Sequence, residues 1–123
     1  MSSFFEKGKL KHGLPSSAYT SADFFRTECD TVFTDNWVFV GFAHELNEPG
    51  DARPIMVAGQ PVVLIKNNEG KISAFHNACS HRCLKLVDES MNVGKMLSCP
   101  YHAWTYSLDG DLCATPFFGG KEH

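Results

Sequence analysis

Two short groups of metal-binding side chains stand in the second half of the sequence. The first is Cys79-Ser80-His81, the second is Cys99-Pro100-Tyr101-His102, and residues 82–98 separate them. Each group offers one soft thiolate and one borderline imidazole within a few positions. A tight loop can aim both side chains at one point, and the intervening residues allow the chain to leave the first loop and return with the second. We therefore predict that two loops hold a small inorganic centre between them.

Segments typical of β-strands lead into both groups. ISAFHN precedes Cys79, and KMLS precedes Cys99. VVLIKNNEGKISAF predicts a hairpin that turns through Asn68-Glu69-Gly70, and AWTYSLDGDL predicts a second one that turns at Asp109-Gly110. Aromatic and β-branched residues also predict a strand in WVFVGF, which begins at Trp37. We expect a mainly β fold, a small antiparallel β domain in which two hairpin loops bind the centre.

The N-terminal part of the sequence has a different pattern. Residues 1–19 contain glycine and proline and are typical of an extended arm. Thr20 or Ser21 is placed to cap a short helix over about residues 22–33, with Asp23 in its first turn. Apolar residues recur at helical spacing along the same stretch. We therefore predict an arm and helix over residues 1–35, followed by the β domain.

Composition and charge exclude several classes of protein. The chain has 123 residues, the length of one domain, and a net charge of −3, so it lacks the basic excess that nucleic-acid binding requires. Its longest strongly apolar run, residues 37–43, is far shorter than the ~20 residues of a membrane span. Five cysteines and no secretory signal argue against a disulfide framework. We expect a cytoplasmic protein with no nucleic-acid partner and no membrane partner.

The two groups, in NACSHRC and SCPYHAWTYSLDG, resemble the Rieske family. In a Rieske [2Fe–2S] centre two cysteines hold one iron and two histidines hold the other. The resemblance implies that Cys79 and Cys99 bind one iron and that His81 and His102 bind the other. Neutral imidazoles in place of two thiolates raise the potential into the range of about −150 to +300 mV. Such a centre transfers one electron at a time.

CPYHAWTYSLDG resembles the α subunits of Rieske non-haem iron oxygenases, and the likeness covers about residues 20–118. It implies a Rieske domain over 36–118 and, at 119–123, the start of a linker toward a C-terminal catalytic domain absent from these residues. In that domain two histidines and one carboxylate hold a mononuclear Fe(II). The resemblance further implies electrons from NAD(P)H through a flavin reductase or a ferredoxin. They would pass through His102 to the catalytic domain of the same or a neighbouring subunit, for O₂-dependent hydroxylation or oxidative demethylation of a small organic substrate.

Two other interpretations of the same residues stay open at this point. A free-standing Rieske ferredoxin would carry electrons without being part of an enzyme. A zinc-stabilised interaction module would use the two Cys and two His around a single tetrahedral ion. The long leader before residue 60 favours the oxygenase, because small Rieske ferredoxins begin close to their first strand.

Residues beside the four predicted ligands have expected supporting roles. Trp104 should pack beside the cluster and limit water access, and Pro100 should stiffen the second loop. Cys83 stands where the oxygenase family usually has glycine, and it is a regulatory thiol, a cluster contact or a small residue packed under the loop. Arg82 belongs to a basic rim that either docks an electron donor or is simply solvated. Rieske proteins of cytochrome bc complexes have a serine donor at the place of Trp104, so we expect a potential low in the Rieske range.

Overall fold

The computed structural model describes residues 13–116, and the chain divides into two compact units, Met1–Asn36 and Trp37–His123. Within the described range no helix has the length and apolar character needed to cross a membrane. The predicted linker at 119–123 lies outside the described residues. The first unit is helical and contains a 3-10 helix over Ser16–Tyr19, α1 over Ala22–Glu28 and a π-helical turn over Cys29–Phe33.

The predicted helix is present and begins at Ala22. The Ser21 side chain accepts a hydrogen bond from the backbone N–H of Phe24 at 3.3 Å, so Ser21 rather than Thr20 is the N-cap. The helix then widens after Glu28. Three threonine hydroxyls, those of residues 27, 31 and 34, bond to the carbonyl four residues earlier. These hydroxyls compete with backbone N–H groups for the same acceptors, and we attribute the widening to that competition.

The second unit consists of two antiparallel sheets. Its strands are β1 Asp51–Val57, β2 Gln60–Lys66, β3 Ile72–His76, β4 Met91–Asn92, β5 Met96–Ser98, β6 Thr105–Ser107 and β7 Leu112–Ala114. One sheet has the order β3-β2-β1-β4 and the other the order β5-β6-β7, and all their pairings are antiparallel. The expected small antiparallel β domain is confirmed.

Both predicted hairpins form, as β2–β3 and β6–β7. The buried amide of Asn67 connects their turns. Its Oδ1 accepts hydrogen bonds from the backbone N–H groups of Glu69 and Lys71, and its Nδ2 donates to Asp109 Oδ1 at 2.7 Å. Gly110 lies so close to Phe75 that a Cβ there would come within 2.5 Å of the ring. Contacts between the two turns therefore bring the sheets together.

Apolar side chains from both sheets meet in one core. Val63 and Ile65 of β2 are fully buried, and Leu97 of β5 joins the same cluster. Each such side chain contributes about 1.5–3 kcal/mol by leaving water. Cys79 and Cys99 belong to this core as well. The two cysteine groups are consequently anchored in the best-packed part of the unit.

The predicted strand at WVFVGF is wrong for the described structure. Within residues 13–116, no strand pairs with 37–42, although exposed and half-buried side chains alternate from Trp37 to Val40 as in a strand. The guanidinium of Arg53 donates to the carbonyl of Val40 at 2.8 Å, where a strand neighbour would donate. Strand propensity favours an extended backbone, but a ladder also needs a partner edge.

Candidate metal centre

The two groups form loops with the same backbone design, which we call loop 1 (Cys79–Leu84) and loop 2 (Cys99–Trp104). In each loop the N–H of the cysteine donates to the carbonyl five residues later at 2.8 Å. In each loop, the N–H of the residue four positions after the cysteine, which is the fifth residue of the loop, donates to the carbonyl of that cysteine. That fifth residue is Cys83 in loop 1 and Ala103 in loop 2, and both have φ +55°. C-x-H and C-x-x-H are therefore presented by matching turns.

The structure brings the four predicted residues together. Cys79 and Cys99 are buried in the same core cluster, and the Cys99 thiol is one of the groups that lower the pKa of Cys79. The imidazole rings of His81 and His102 lie 4.7 Å apart between centroids, at 66° to one another. Two sulfur donors thus lie together at the edge of the core, and two nitrogen donors lie together further out along the loops.

The local field favours a thiolate at Cys79. Burial opposes the charged form, but it is outweighed by hydrogen bonds from the Tyr106 hydroxyl, the backbone N–H groups of His81 and Arg82, and the Cys99 thiol. The pKa of Cys79 is therefore below its ordinary value. Because the thiolate is the form that binds a metal, the sulfur is prepared for ligation.

The surroundings of His81 favour its neutral imidazole, which is the form that a metal binds. Burial lowers the pKa of His81, and repulsion from His102 and Arg82 lowers it further. The Nδ1 of His102 is buried, and no hydrogen-bond partner for it lies within residues 13–116. The buried His102 nitrogen without a partner among the described residues, the neutral imidazole of His81 and two thiols are donors of the kind that a Rieske [2Fe–2S] cluster requires, so the residues present fit that group.

The four donors are arranged as pairs. Over the described range, no three His, Cys, Asp or Glu side chains are grouped so as to hold a single metal ion. A two-iron cluster takes two protein ligands at each iron, whereas structural zinc takes four around one ion.

Aromatic rings cover the two histidines differently. Trp104 is half-buried and stacks on His81 with centroids 4.8 Å apart and planes 11° apart. Tyr101 lies 3.8 Å from His102 by centroid and is exposed to solvent. Pro100 is also exposed, in the turn of loop 2. Of the two histidines, His102 is therefore the one whose neighbouring ring is open to solvent.

Cys83 and Arg82 both point outward. Cys83 is exposed, which excludes the prediction that it packs under the loop. Its N–H is already bonded to the carbonyl of Cys79, and the geometry of that turn, rather than packing, sets its position. Arg82 is exposed at the rim, while its neighbour Lys85 forms an ion pair with Asp88 at 3.6 Å.

Sequence reasoning missed Tyr106. Its hydroxyl lies 3.2 Å from Cys79 Sγ and accepts a hydrogen bond from the backbone N–H of Ser80 at 3.0 Å. Burial raises the pKa of Tyr106, and the bond to Cys79 raises it further, so the hydroxyl stays protonated. The alternation in β6 could have indicated it, because the middle residue of TYS faces the core and a buried tyrosine hydroxyl needs a partner.

Asn77 was missed as well. It is 1% exposed, and its side chain holds the segment that follows loop 1. Its Oδ1 accepts from the N–H groups of Leu86 and Val87 at 3.0 Å, and its Nδ2 donates to the Val87 carbonyl at 2.6 Å. No sequence spacing predicts these bonds, since the partners lie about ten residues away in an irregular segment.

Comparison with known proteins identifies a family that binds the same kind of cluster that the donor set fits. The family described as "Rieske [2Fe-2S] domain" matches residues 36–120. The chain is 36% identical over 111 residues to the glycine betaine monooxygenase oxygenase subunit of Chromohalobacter salexigens, covering 90% of this chain and 24% of that protein. It is 35% identical over 114 residues to the large oxygenase component of salicylate 5-hydroxylase from Ralstonia sp, covering 92% and 27%.

A solved structure agrees in fold. It is that of a quaternary ammonium Rieske monooxygenase, described in terms of carnitine oxidation by gut microbiota and inter-subunit electron transfer. It superposes with a TM-score of 0.77 at 35% identity, covering 84% of this chain and 28% of that one. The chain spans about a quarter of the length of the curated relatives it matches. It belongs to the Rieske [2Fe–2S] domain family, and its relatives are oxygenase subunits of Rieske non-haem iron enzymes.

Proposed function

We propose that Cys79 and Cys99 bind one iron of a Rieske [2Fe–2S] cluster and that His81 and His102 bind the other. The observation that carries this assignment is the convergence of the two pairs on matching loops, with thiol against thiol and imidazole against imidazole. The lowered pKa of Cys79 and the unpartnered buried nitrogen of His102 support it. When bound, the cluster accepts and releases one electron.

The protein's part in that transfer is to hold the ligands and limit water. Loops of matching geometry set the positions of the donors. Trp104 stacks on His81, while the exposed ring of Tyr101 lies against His102. This asymmetry supports His102 as the ligand through which the electron leaves.

We further propose that the electron goes to the mononuclear iron of an oxygenase, in the catalytic domain of the same or a neighbouring subunit. The relatives support this, because they are oxygenase subunits about four times as long as this chain. Their names concern a methylated ammonium compound in one case and an aromatic acid in the other. The reaction we propose is therefore O₂-dependent hydroxylation or oxidative demethylation of a small organic molecule, with electrons from NAD(P)H through a flavin reductase or a ferredoxin.

The two other interpretations have less support. Membership of the Rieske [2Fe–2S] family favours an iron–sulfur cluster over the single zinc ion of the interaction module. The relatives reported above are oxygenase subunits rather than free carriers, so the stand-alone ferredoxin has no observation in its favour. A cytoplasmic location is part of the proposal, because all five cysteines are free and a reducing compartment keeps them so.

The ligand assignment is tested by anaerobic reconstitution with ferrous salt and sulfide. The wild-type protein should bind about two irons and two acid-labile sulfides per chain and give a Rieske EPR signal when reduced. Cys79→Ser and His102→Ala should each abolish that signal. Cys113→Ser and His76→Ala are matched controls at exposed positions and should keep it. A normal signal from either of the first two variants would remove that residue from the ligand set.

The oxygenase assignment needs a separate test. The full-length gene product, supplied with a flavin reductase and NADH, should consume O₂ in the presence of its substrate, with glycine betaine, carnitine and salicylate as the first compounds to try. A gene that ends at residue 123 and yields a red protein without O₂ uptake would support the ferredoxin instead.

A further inference from the structure

Three polar atoms surround the hydroxyl of Tyr106, and two of them belong to Ser80. Cys79 Sγ lies 3.2 Å from the phenolic oxygen, the backbone N–H of Ser80 donates to that oxygen at 3.0 Å, and Ser80 Oγ lies 2.9 Å from it. Tyr106 is 8% exposed, and the hydroxyl of a buried tyrosine takes its partners from the protein. Ser80 therefore holds the same hydroxyl that reaches a predicted ligand sulfur.

Only one arrangement of protons makes all three contacts hydrogen bonds when Cys79 holds a metal. A phenolic hydroxyl has one proton to donate and accepts hydrogen bonds on its oxygen. A sulfur bound to a metal has lost its proton, so a hydrogen bond between Tyr106 and Cys79 uses the tyrosine proton. The tyrosine then has no proton left for Ser80, and the Ser80 hydroxyl must donate to it. The hydrogen bonds thus run from Ser80 to Tyr106 and from Tyr106 to Cys79.

The direction of this chain strengthens its last bond. Hydrogen bonds in a chain polarise one another, by about 10–30% per bond, so an oxygen that accepts hydrogen bonds is a better donor. The proton of the Ser80 hydroxyl also occupies the space between the two oxygens, and this keeps the tyrosine proton from turning toward Ser80 Oγ. Both effects favour donation from Tyr106 to the sulfur.

Loop 1 places Ser80 where it can act in this way. Ser80 stands between the predicted ligands Cys79 and His81, in a turn that two backbone hydrogen bonds close. Loop 1 follows β3 of the first sheet, whereas Tyr106 is the middle residue of β6 in the second sheet. The contact between Ser80 and Tyr106 consequently joins the cluster loop to the sheet that supplies the sulfur's hydroxyl neighbour.

We propose that Ser80 is a positioning residue for electron transfer, because its hydroxyl directs the Tyr106 proton onto Cys79 Sγ and thereby raises the potential of the cluster. This inference rests on the proposed function, since it requires a cluster that is held by Cys79. A donor to a ligand sulfur favours the reduced cluster, and Ser80 contributes to that effect through Tyr106.

Redox titrations of the full-length, cluster-loaded protein, followed by EPR, test this role. Threonine and valine have nearly the same shape and differ in one hydroxyl, so Ser80→Thr and Ser80→Val form a matched pair. Ser80→Val should shift the reduction equilibrium about twofold toward the oxidised cluster, less than the loss of a whole hydrogen bond and equivalent to about 18 mV at 59 mV per tenfold. Ser80→Thr should keep the wild-type potential. Equal potentials in the two variants would overturn the proposal.

A double-mutant cycle shows whether Ser80 acts through Tyr106. In a Tyr106→Phe background, Ser80→Val should leave the potential unchanged, because no phenolic proton remains to be directed. An equal shift in both backgrounds would overturn the proposal, since Ser80 would then act on the cluster independently of the tyrosine.

Ser98→Val is the control beside the other cysteine. Ser98 precedes Cys99, and its hydroxyl lies 3.0 Å from Thr105 Oγ1, so its removal should not change the potential. A shift as large as that of Ser80→Val would be a general effect of valine beside a ligand and would overturn the proposal.

Ser80→Ala removes the same hydroxyl with a smaller side chain, and it replaces Ser80→Val if the valine variant binds no cluster. A normal Rieske signal with an unchanged potential in Ser80→Ala or Ser80→Val would overturn the role of Ser80 and leave the proposed function standing. Absence of the Rieske signal from the wild-type protein would instead count against the proposed function.

Discussion

The hydroxyl of Tyr106 lies 3.2 Å from the Sγ of Cys79 and connects β6 to loop 1. The same oxygen accepts the N–H of Ser80 and lies 2.9 Å from Ser80 Oγ, and it donates to the sulfur when Cys79 is a thiolate. A hydrogen bond to a ligand sulfur stabilises the reduced cluster, which carries one more negative charge, and so raises its potential.

Tyr106→Phe should therefore lower the midpoint potential. The expected decrease is about 40 mV, the one-electron equivalent of about 1 kcal/mol, a typical net value for one hydrogen bond. A redox titration followed by EPR measures it. Tyr101→Phe is the control, because within residues 13–116 its hydroxyl has no hydrogen-bond partner, and it should leave the potential unchanged. An equal potential in wild type and Tyr106→Phe would show that the hydroxyl does not act on the cluster.

Asn77→Ala should destabilise the fold by about 2–4 kcal/mol. The substitution leaves one buried and one half-buried N–H group and one buried carbonyl without their partner, and each such loss costs about 1–3 kcal/mol before relaxation or water entry reduces it. Urea denaturation of the cluster-loaded protein measures the change. Asn68→Ala, in the exposed β2–β3 turn, should stay within about 0.5 kcal/mol of wild type. A small effect at Asn77 would mean that water replaces its amide.

Cys83→Gly and Ala103→Gly should each stabilise the protein by about 0.5–1 kcal/mol. Both residues have φ +55°, where a Cβ costs about 1–2 kcal/mol and glycine does not. Thermal unfolding measures the gain, and iron content should stay near two per chain. Ala114→Gly in β7 should act in the opposite direction, because glycine weakens a strand. Marked iron loss in Cys83→Gly would show that this thiol matters to the cluster.

Asp51 should make stability depend on pH in the acid range. Its carboxylate accepts hydrogen bonds from the N–H of Glu48, from Asn92 Nδ2 and from the N–H of Asn47, and these hold its pKa below the ordinary value of 3.8. The unfolded chain therefore binds more protons between the two pKa values, so the contribution is complete well above pH 3.8 and is lost as the pH falls through the folded-state pKa.

Comparison of wild type with Asp51→Asn isolates that contribution. The difference in unfolding temperature should be constant from pH 7 to pH 5 and should shrink below pH 4. Acid loss of the cluster affects both proteins equally and cancels in the difference. A difference that does not change with pH would show that the carboxylate has the same pKa in the folded and unfolded states.

Local features of the sequence predicted much of this protein. The two Cys and His groups, both hairpin turns and the capped helix were all predicted, because each of them depends on residues within about ten positions of one another. The β6–β7 turn is an example, because Asp109-Gly110 is a typical hairpin-turn pair. The resemblance to Rieske oxygenases added the cofactor, which spacing alone left open between iron–sulfur and zinc.

The strand predicted at Trp37 shows where local reasoning stops. Residue types favour a strand there, but strand pairing depends on which sheet edge lies beside the segment. The prediction that Cys83 packs under the loop is a second failure of local reasoning. The thiol is exposed, because the turn that positions Cys83 is closed by a hydrogen bond from its N–H to the Cys79 carbonyl and not by packing of its side chain.

The sequence by itself determined that a metal centre binds at the two Cys and His groups, since soft thiolates and imidazoles at short spacing are metal donors, and its family resemblance indicated an iron–sulfur cluster. The surroundings that tune that centre were decided by tertiary structure. Tyr106 reaches Cys79 from 27 positions away, and Asn77 holds Val87 across an irregular segment. Hydrogen bonds over such separations depend on how the two sheets pack, and packing is a property of the whole core that no local pattern contains.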